Sequence, residues 1–146
     1  MAGVEDLADA DPLPVVLSWL TTHPAVLAEL GPDRVGAYSI PPYPRLRVTD
    51  VPGGIENYDT AVVEVRIQIE ALGEMDGSKA ELRRLLYLAL GALKELPRAD
   101  PPPAGPVIGS VRPAQGGGFL PEADKRPRYV ARATVRCRPR WSAESV

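Results

Sequence analysis

The sequence predicts a single α+β domain with a mixed or antiparallel sheet of about four strands and helices packed on one face. Three observations predict this class. Several segments alternate apolar and polar residues with the period of a strand, while others repeat leucines with the spacing of a helix. The length of 146 residues matches one domain with a real core. We place an acidic lead-in at 1–11, the folded domain at 12–140 and a C-terminal tail at 141–146.

The first helical region has clear start and stop signals. Asp11-Pro12 is typical of a helix start, and apolar residues follow at helical spacing as far as Leu20. His23-Pro24 interrupts the helix, because a residue that precedes proline avoids the α region. A short second helix over 24–30 then ends at Gly31-Pro32. We expect His23 to cap this break or to face solvent.

The second helical region begins at Ser78. Ser78 and Glu81 have the spacing of a capping box, in which each side chain bonds a backbone N–H at the helix start. Pro97 ends the pattern. An apolar stripe lies between them: Leu82, Leu85, Leu86, Ala89, Leu93 and Leu96. We interpret this stripe as core packing, without a role in lipid or cofactor binding.

Four segments predict the strands: 45–51, 60–72, 107–111 and 128–138. The clearest is 60–72, which exceeds the common strand length. Its apolar face consists of Val63, Val65, Ile67, Ile69 and Ala71, and its polar face of Glu64, Arg66, Gln68 and Glu70. Pro52-Gly53-Gly54 predicts a break and a flexible connection to 59. The glycines at 116–118 predict a hairpin tip or a bulge in a flexible segment over 112–124.

Basic residues are concentrated near the end of the chain. Residues 125–140 contain seven basic residues and no acid, whereas residues 1–124 contain 10 basic and 18 acidic residues. Because successive side chains of a strand point to opposite faces, four arginines of the last strand should share one face. They are Arg128, Arg132, Arg136 and Arg138.

Three interpretations of this arginine face remain open. The arginines form a solvated face, with some pairing to Glu64 and Glu70 on the neighbouring long strand. Alternatively they meet an acidic surface on an adjacent copy of the chain. In the third interpretation they line a path for nucleic acid and act as counter-charges to phosphates. Together with Arg66, these residues are the candidates for a subunit interface or a lumen.

The sequence gives no indication of an enzyme. It has no phosphate-binding glycine loop, no nucleophile motif and no cluster of His, Cys and acids at metal-ligand spacing. One cysteine, Cys137, makes no intramolecular disulfide, and we interpret it as a small buried residue. We therefore expect a non-enzymatic protein without catalytic residues, metal or cofactor.

The sequence also predicts no membrane partner. No apolar run approaches the roughly 20 residues that span a bilayer. Glu5, Asp6, Asp9 and Asp11 make the beginning of the chain acidic, which is the wrong charge for a secretory signal. We therefore expect a soluble protein made in a reducing cytoplasm.

The order of these elements resembles a known family. An N-terminal helix is followed by His-Pro-Ala-Val-Leu at 23–27 and by a proline-rich loop into Tyr-Pro-Arg-Leu-Arg-Val at 43–48. A long alternating strand, Lys-Ala-Glu-Leu-Arg-Arg-Leu-Leu at 79–86 and two closing strands complete the pattern. Over roughly residues 11–140 the chain resembles the tail terminator, or tail-completion, proteins of long-tailed bacteriophages that infect actinobacteria.

The resemblance implies a structural role in the virion, at the neck of the tail. Such proteins form a ring, commonly a hexamer, that stops polymerisation of the tail tube and presents a surface to the head-side connector. DNA passes through the lumen of the ring without sequence-specific binding. Two alternatives remain open: a head–tail connector or stopper protein of the neck, and a small DNA-binding regulator that uses the strand over 128–140.

Overall fold

The computed structural model describes residues 8–57, 62–100 and 105–139. Its helices are α1 (Leu13–Thr22), α2 (Pro24–Leu30) and α3 (Lys79–Glu95), the last followed by a 3-10 turn at Leu96–Arg98. Its strands are β1 (Val35–Gly36), β2 (Arg45–Asn57), β3 (Val62–Leu72), β4 (Val107–Phe119) and β5 (Arg128–Arg138). The prediction of one α+β domain is confirmed.

The strands form one sheet in the order β1-β2-β3-β5-β4. β1 pairs in parallel with β2, and all other pairs are antiparallel, so the sheet is mixed, which was one of the two predicted forms. The fifth strand is β1, whose two residues lie in a segment that we predicted as loop. Two residues are too short to show alternation, so the sequence pattern missed it.

The helices cover one face of this sheet and bury its apolar side chains. β3 contributes Ile67, Ile69 and Ala71, none of which is exposed, and β5 contributes the alternating residues from Ala131 to Cys137. α3 buries the predicted leucine stripe against them. The core therefore lies between the sheet and the helix layer, and the other sheet face is left for polar side chains.

β2 does not break at its proline and glycines, and the prediction of a flexible connection there is wrong. The pairing with β3 shifts register between Val51 and Ile55 and then resumes with Ile55 opposite Glu64. A Cβ on Gly54 would lie 2.0 Å from the Glu64 carbonyl oxygen, so the glycine allows the two backbones to approach. The segment is a bulge within a long strand. Residues 58–61, including the predicted strand start at Thr60, lie outside the described residues.

β4 is also longer than predicted, because it continues through the glycines as far as Phe119. Its pairing with β5 is irregular around Gly109, between Pro113 and Gln115, and between Gln115 and Gly118. The glycines therefore form a bulge, which was one of the two predicted alternatives. The segment over 112–124 that we predicted as flexible is strand as far as Phe119, and the Leu120 and Glu122 N–H groups then donate to the Arg128 and Arg126 carbonyls. Residues 101–104 and 140–146 lie outside the described residues.

The predicted caps at His23 and Ser78 are present, and of the capping box the described hydrogen bonds include the Ser78 half. His23 Nδ1 accepts a hydrogen bond from the Ala25 backbone N–H at 3.2 Å, and its Nε2 lies 2.9 Å from Glu95 Oε2. Ser78 Oγ accepts from the Glu81 N–H at 3.4 Å. Each cap satisfies an N–H group that the first turn of a helix leaves without an intrahelical partner.

No single helix in the described part of the chain is long and apolar enough to cross a membrane. α1 and α2 satisfy length and composition only when taken together, and they are bent by 68° at His23. Val16, Leu20, Val26 and Leu30 from these helices are buried in the core described above.

Candidate interaction surface on the open face of the sheet

The face of the sheet opposite the helices carries the polar residues predicted from the alternation. In β5, Ala131, Ala133, Val135 and Cys137 are buried on the helix side, so the arginines between them lie on the open face. In the β3–β5 register Glu64 lies opposite Arg136, and Gln68 lies opposite Arg132. The predicted partition of faces is confirmed, but the side chains differ greatly in their surroundings along the strand.

At one end of the open face, a cluster of half-buried ion pairs surrounds a buried carboxylate. Glu70, only 2% exposed, accepts hydrogen bonds from Arg47 Nε and from Arg128 Nη1, the latter at 3.2 Å. Arg47 Nη2 also donates to Glu122 Oε1 at 2.5 Å. We call Arg47, Glu70, Glu122 and Arg128 the ion-pair cluster. Two cations and two carboxylates balance each other here.

The electrostatic effect of the ion-pair cluster is visible on Arg47. Burial alone would lower the pKa of its guanidinium group, because desolvation disfavours the charged form. The hydrogen bonds and charges of Glu70 and Glu122 outweigh desolvation, and the pKa is raised above its usual value. Arg47 therefore stays charged and holds both carboxylates.

The connection between β4 and β5 closes over this end. Gly73 donates its N–H to the Pro127 carbonyl at 2.9 Å, and its own carbonyl accepts from Arg126 Nη1 at 2.8 Å. Arg128 Nε donates to the Leu120 carbonyl at 2.8 Å. Glu122 comes from this same connection, so the chain segment that covers the cluster also completes its charge balance.

In the middle of the open face, the surroundings of the arginines change from covered to exposed. Arg132 Nε donates to Gln68 Oε1 at 3.1 Å, and the Gln68 amide in turn donates to Glu70. Arg132 is half-buried and interacts with a neutral amide, so its positive charge is not cancelled by a carboxylate in the described contacts.

At the other end the arginines are exposed. Arg66, Arg112, Arg136 and Arg138 all lie at the surface, and we call them the exposed arginine group. Arg112 Nη2 lies 3.3 Å from Glu64 Oε1, with side-chain exposures of 62% and 21%. Four positive charges thus share this end with the carboxylate of Glu64 among the described side chains, and the surplus faces solvent.

The structure therefore divides the predicted candidate residues. Arg128 and Glu70 belong to the ion-pair cluster, and Arg132 is held by Gln68. Glu64 pairs with Arg112 of β4, whereas one of the three interpretations gave it a partner on β5. Arg66, Arg136 and Arg138 belong to the exposed group. The arginines of β5 therefore do not form a single face with one role.

Sequence reasoning missed three participants: Arg47, Arg112 and Glu122. Arg47 lies in the predicted strand over 45–51, but nothing local indicated that it would be covered. Arg112 and Glu122 lie in 112–124, which we expected to be flexible. Their roles depend on strand pairing and on the path of a connection, which are long-range features.

The described residues contain no group of three or more His, Cys, Asp or Glu side chains placed to hold a metal ion. Cys137 is buried, and its Sγ lies 3.9 Å from the Ala10 carbonyl oxygen. Burial, with a smaller contribution from the charge of Asp11, raises the pKa of this thiol to about 11. A thiol in this environment is a poor nucleophile at neutral pH, because the reactive species is the thiolate.

No protein-family model matches this chain, and no curated protein matches it.

Proposed function

We propose that this protein is a structural component of a long-tailed bacteriophage that forms a ring on the end of the tail tube. The ring would end tube polymerisation and provide the surface that joins the tail to the head. The observation that carries the proposal is a small domain whose described sheet ends in a strand without a further strand partner on each side. The resemblance to tail terminators supplies the partners: the tube protein, the head-side connector and further copies of the chain.

The two sheet edges differ, which suits a heterologous contact. On one side β4 is the outermost strand of the described sheet. On the other side, β1 pairs with Leu46 and Arg47, so among the described strands most of β2 is paired on one side alone, by β3. A contact between two different surfaces of one chain repeats from copy to copy and closes a ring when the rotation permits.

The exposed arginine group suits a surface that faces DNA in the lumen. Arg66, Arg136 and Arg138 carry positive charge near the surface and are not committed to the ion-pair cluster. A basic surface attracts the phosphate backbone without reading sequence. We expect this end of the sheet, and not the ion-pair cluster, to line the passage.

Ring formation is testable by light scattering and negative-stain imaging of the protein alone and after addition of purified tube protein. We expect a discrete closed oligomer, a hexamer by the resemblance, in at least the second sample. Monomer at high concentration combined with no ring on added tube protein would contradict the proposal. Binding assays separate the related alternative, since a connector or stopper would bind the portal complex and not the tube protein.

The exposed arginine group also favours a second candidate, a small DNA-binding regulator. That function predicts salt-sensitive DNA binding by the free protein. It further predicts that binding falls when Arg132 and Arg136 are changed to glutamate. No measurable binding at low salt would remove this candidate and leave the ring proposal standing.

A further inference from the structure

Large apolar side chains are exposed on two connections at one end of the sheet. The loop over 37–44, between β1 and β2, contains Tyr38, 72% exposed, and Ile40, 52% exposed. The connection over 120–127, between β4 and β5, begins with Leu120, 58% exposed. We call these two segments the end platform. Exposed apolar side chains of this size are candidates for contacts with another protein.

The two segments are anchored on the same row of the sheet. Leu72 of β3 pairs with Arg45 of β2 on one side and with Arg128 of β5 on the other. Arg45 Nη1 donates to the Ile40 carbonyl at 2.7 Å. Arg128 Nε donates to the Leu120 carbonyl at 2.8 Å. Neighbouring strands lie about 4.8 Å apart, so the backbones of the two anchoring arginines are separated by about 10 Å. The exposed residues of both segments therefore lie at the same end of the sheet.

Arg126 joins the two segments to each other and to the end of β3. Its guanidinium group stacks 3.6 Å from the centre of the Tyr43 ring. Its Nη1 donates to the Gly73 carbonyl at 2.8 Å. Within the loop, the Tyr43 hydroxyl lies 3.0 Å from Ser39 Oγ. The end platform is thus held in shape before a partner arrives, which reduces the conformational freedom that is lost on binding.

Arg126 also keeps hydrogen-bond donors for a partner. Among the described residues, its Nε and Nη2 groups have no hydrogen-bond partner, and no carboxylate forms an ion pair with it. The nearby Asp124 accepts from the backbone N–H of Arg126 and not from its side chain. Arg126 is half-buried, and its Nε and Nη2 groups form the fork that binds a carboxylate through two parallel hydrogen bonds. The end platform therefore combines apolar side chains with one available cation.

The end platform differs in chemistry from the exposed arginine group at the other end of the sheet. A nucleic acid backbone is bound through several exposed cations, which the exposed arginine group offers. Protein interfaces instead combine apolar and aromatic side chains with arginine. Tyr38, Ile40 and Leu120 around Arg126 match the second composition. The observations therefore favour a protein partner for the end platform.

We propose that the end platform docks a protein segment that presents a carboxylate among apolar side chains. Ile40 and Leu120 pack against the apolar side chains of the segment, and Arg126 Nε and Nη2 donate to its carboxylate. This contact is distinct from the contact between copies that closes the ring, and cyclic symmetry repeats it once for each copy. The inference rests on the proposed function, which makes the tube protein the carrier of the segment.

The affinity for purified tube protein tests the apolar part of the end platform. Ile40→Ser and Leu120→Ser are compared with Leu27→Ser, which removes an apolar side chain of similar exposure, 42%, from α2 in the helix layer. All three positions are exposed, so all three variants should fold, and circular dichroism confirms it. We expect each platform variant to bind about tenfold more weakly or worse. Leu27→Ser should bind like the unsubstituted protein.

The salt dependence of this affinity tests the role of Arg126. Arg126→Gln removes the charge, and Arg136→Gln is the matched control from the exposed arginine group. An ion pair between the proteins is weakened by salt, so Arg126→Gln should bind more weakly and lose part of the salt dependence. We expect Arg136→Gln to change neither quantity. Thermal denaturation shows whether Arg126→Gln folds, and the serine variants test the end platform independently of it.

The outcomes separate this inference from the proposed function. Tube binding that tolerates Ile40→Ser and Leu120→Ser overturns the inference and leaves the proposed function intact. The same holds if these variants lower the affinity for DNA, or prevent rings while tube binding persists, because the end platform would then serve nucleic acid or another copy. Absence of tube binding by the unsubstituted protein overturns the proposed function and the inference with it. Weaker tube binding in the platform variants alone supports both.

Discussion

The two ends of the open sheet face use the same residue types in different ways. At the ion-pair cluster, Arg47 and Arg128 share Glu70 and Glu122, and Glu70 is almost fully buried. At the other end Arg136 and Arg138 project into solvent. The alternation of β5 is the same at both ends. The difference arises because the connection between β4 and β5 covers one end only. The covered arginines stabilise the fold, and the exposed arginines remain available for interaction.

This comparison shows why a charged strand cannot be assigned one role. A buried cluster of charges is costly to break, because removal of one member leaves the others desolvated. An exposed arginine contributes little to folding and remains available for a polyanion or a neighbouring copy. The predictions below test this separation, from the largest expected effect to the smallest.

The largest effect is expected from Glu70→Ala. It removes one of the two carboxylates that Arg47 and Arg128 share, and both arginines are only partly exposed, so we expect a loss of about 3 kcal/mol of unfolding free energy, the low end for a broken buried pair. Urea denaturation followed by circular dichroism measures the loss. Glu64→Ala is the matched control on the same strand and face, with an expected loss of about 0–1 kcal/mol because its partner Arg112 is exposed. Equal losses of unfolding free energy in both variants would contradict the distinction between the two ends of the open face.

A second effect depends on pH and concerns Cys137, which lies on the helix side of β5 behind the exposed arginine group. Cys137 lies between Arg136 and Arg138 but points into the core, where its pKa is raised to about 11 from 9.0. The unfolded chain loses the thiol proton at lower pH than the folded chain. The resulting stability is complete below the unfolded pKa and lost as pH rises toward the folded value.

The size of this effect is on the order of 2 kcal/mol at alkaline pH. Urea denaturation on both sides of the unfolded pKa, for the unsubstituted protein and for Cys137→Ala, measures it. We expect the alkaline loss of stability to be smaller in Cys137→Ala, whatever its stability at neutral pH. An unchanged pH dependence would show that this thiol is not buried in solution.

Arg132 should give an intermediate result, because it lies between the two ends. Arg132→Met removes the hydrogen bond to Gln68, which contributes about 0.5–1.5 kcal/mol to folding. The thermal midpoint should fall by less than in Glu70→Ala and by more than in Arg136→Met. A change in thermal midpoint equal to that of Glu70→Ala would place Arg132 with the ion-pair cluster. A change equal to that of Arg136→Met would place it with the exposed arginine group.

The smallest effect on folding is expected from Arg136→Glu combined with Arg138→Glu. Substitutions of exposed residues usually change stability by within about 0.5 kcal/mol. DNA affinity should still respond, and the slope of its logarithm against the logarithm of salt concentration should fall by about 1 for each lost phosphate contact. Unchanged DNA affinity would exclude these residues from the lumen surface.

Local sequence patterns predicted much of the fold. Periodicity located β3, β5 and α3, and cap signals located the helix starts at His23 and Ser78. Each of these depends on residues close together in the chain. The failures had a different origin. Pro52-Gly53-Gly54 was interpreted as a break because its signal is the same for a loop and for a bulge, and only the pairing with β3 distinguishes them.

The candidate site was predicted in part for the same reason. Strand parity placed Glu70, Arg128, Arg132 and Arg136 on one face, as the structure does. Parity carries no information on burial by a remote segment. Glu122 is separated from Arg47 by 75 residues, and its contact follows from the path of the chain after β4.

The bulge in β2 has a consequence for how this protein tolerates change. Gly54 sits so close to the Glu64 carbonyl that any side chain would push β2 away from β3. Arg66 lies beside this bulge, opposite Val51, and its guanidinium is 3.3 Å from the Cβ position of Gly53. A close approach of two uncharged backbones thus helps to set the position of a charged side chain, and a methyl group at position 54 would disturb Arg66 without removing its charge.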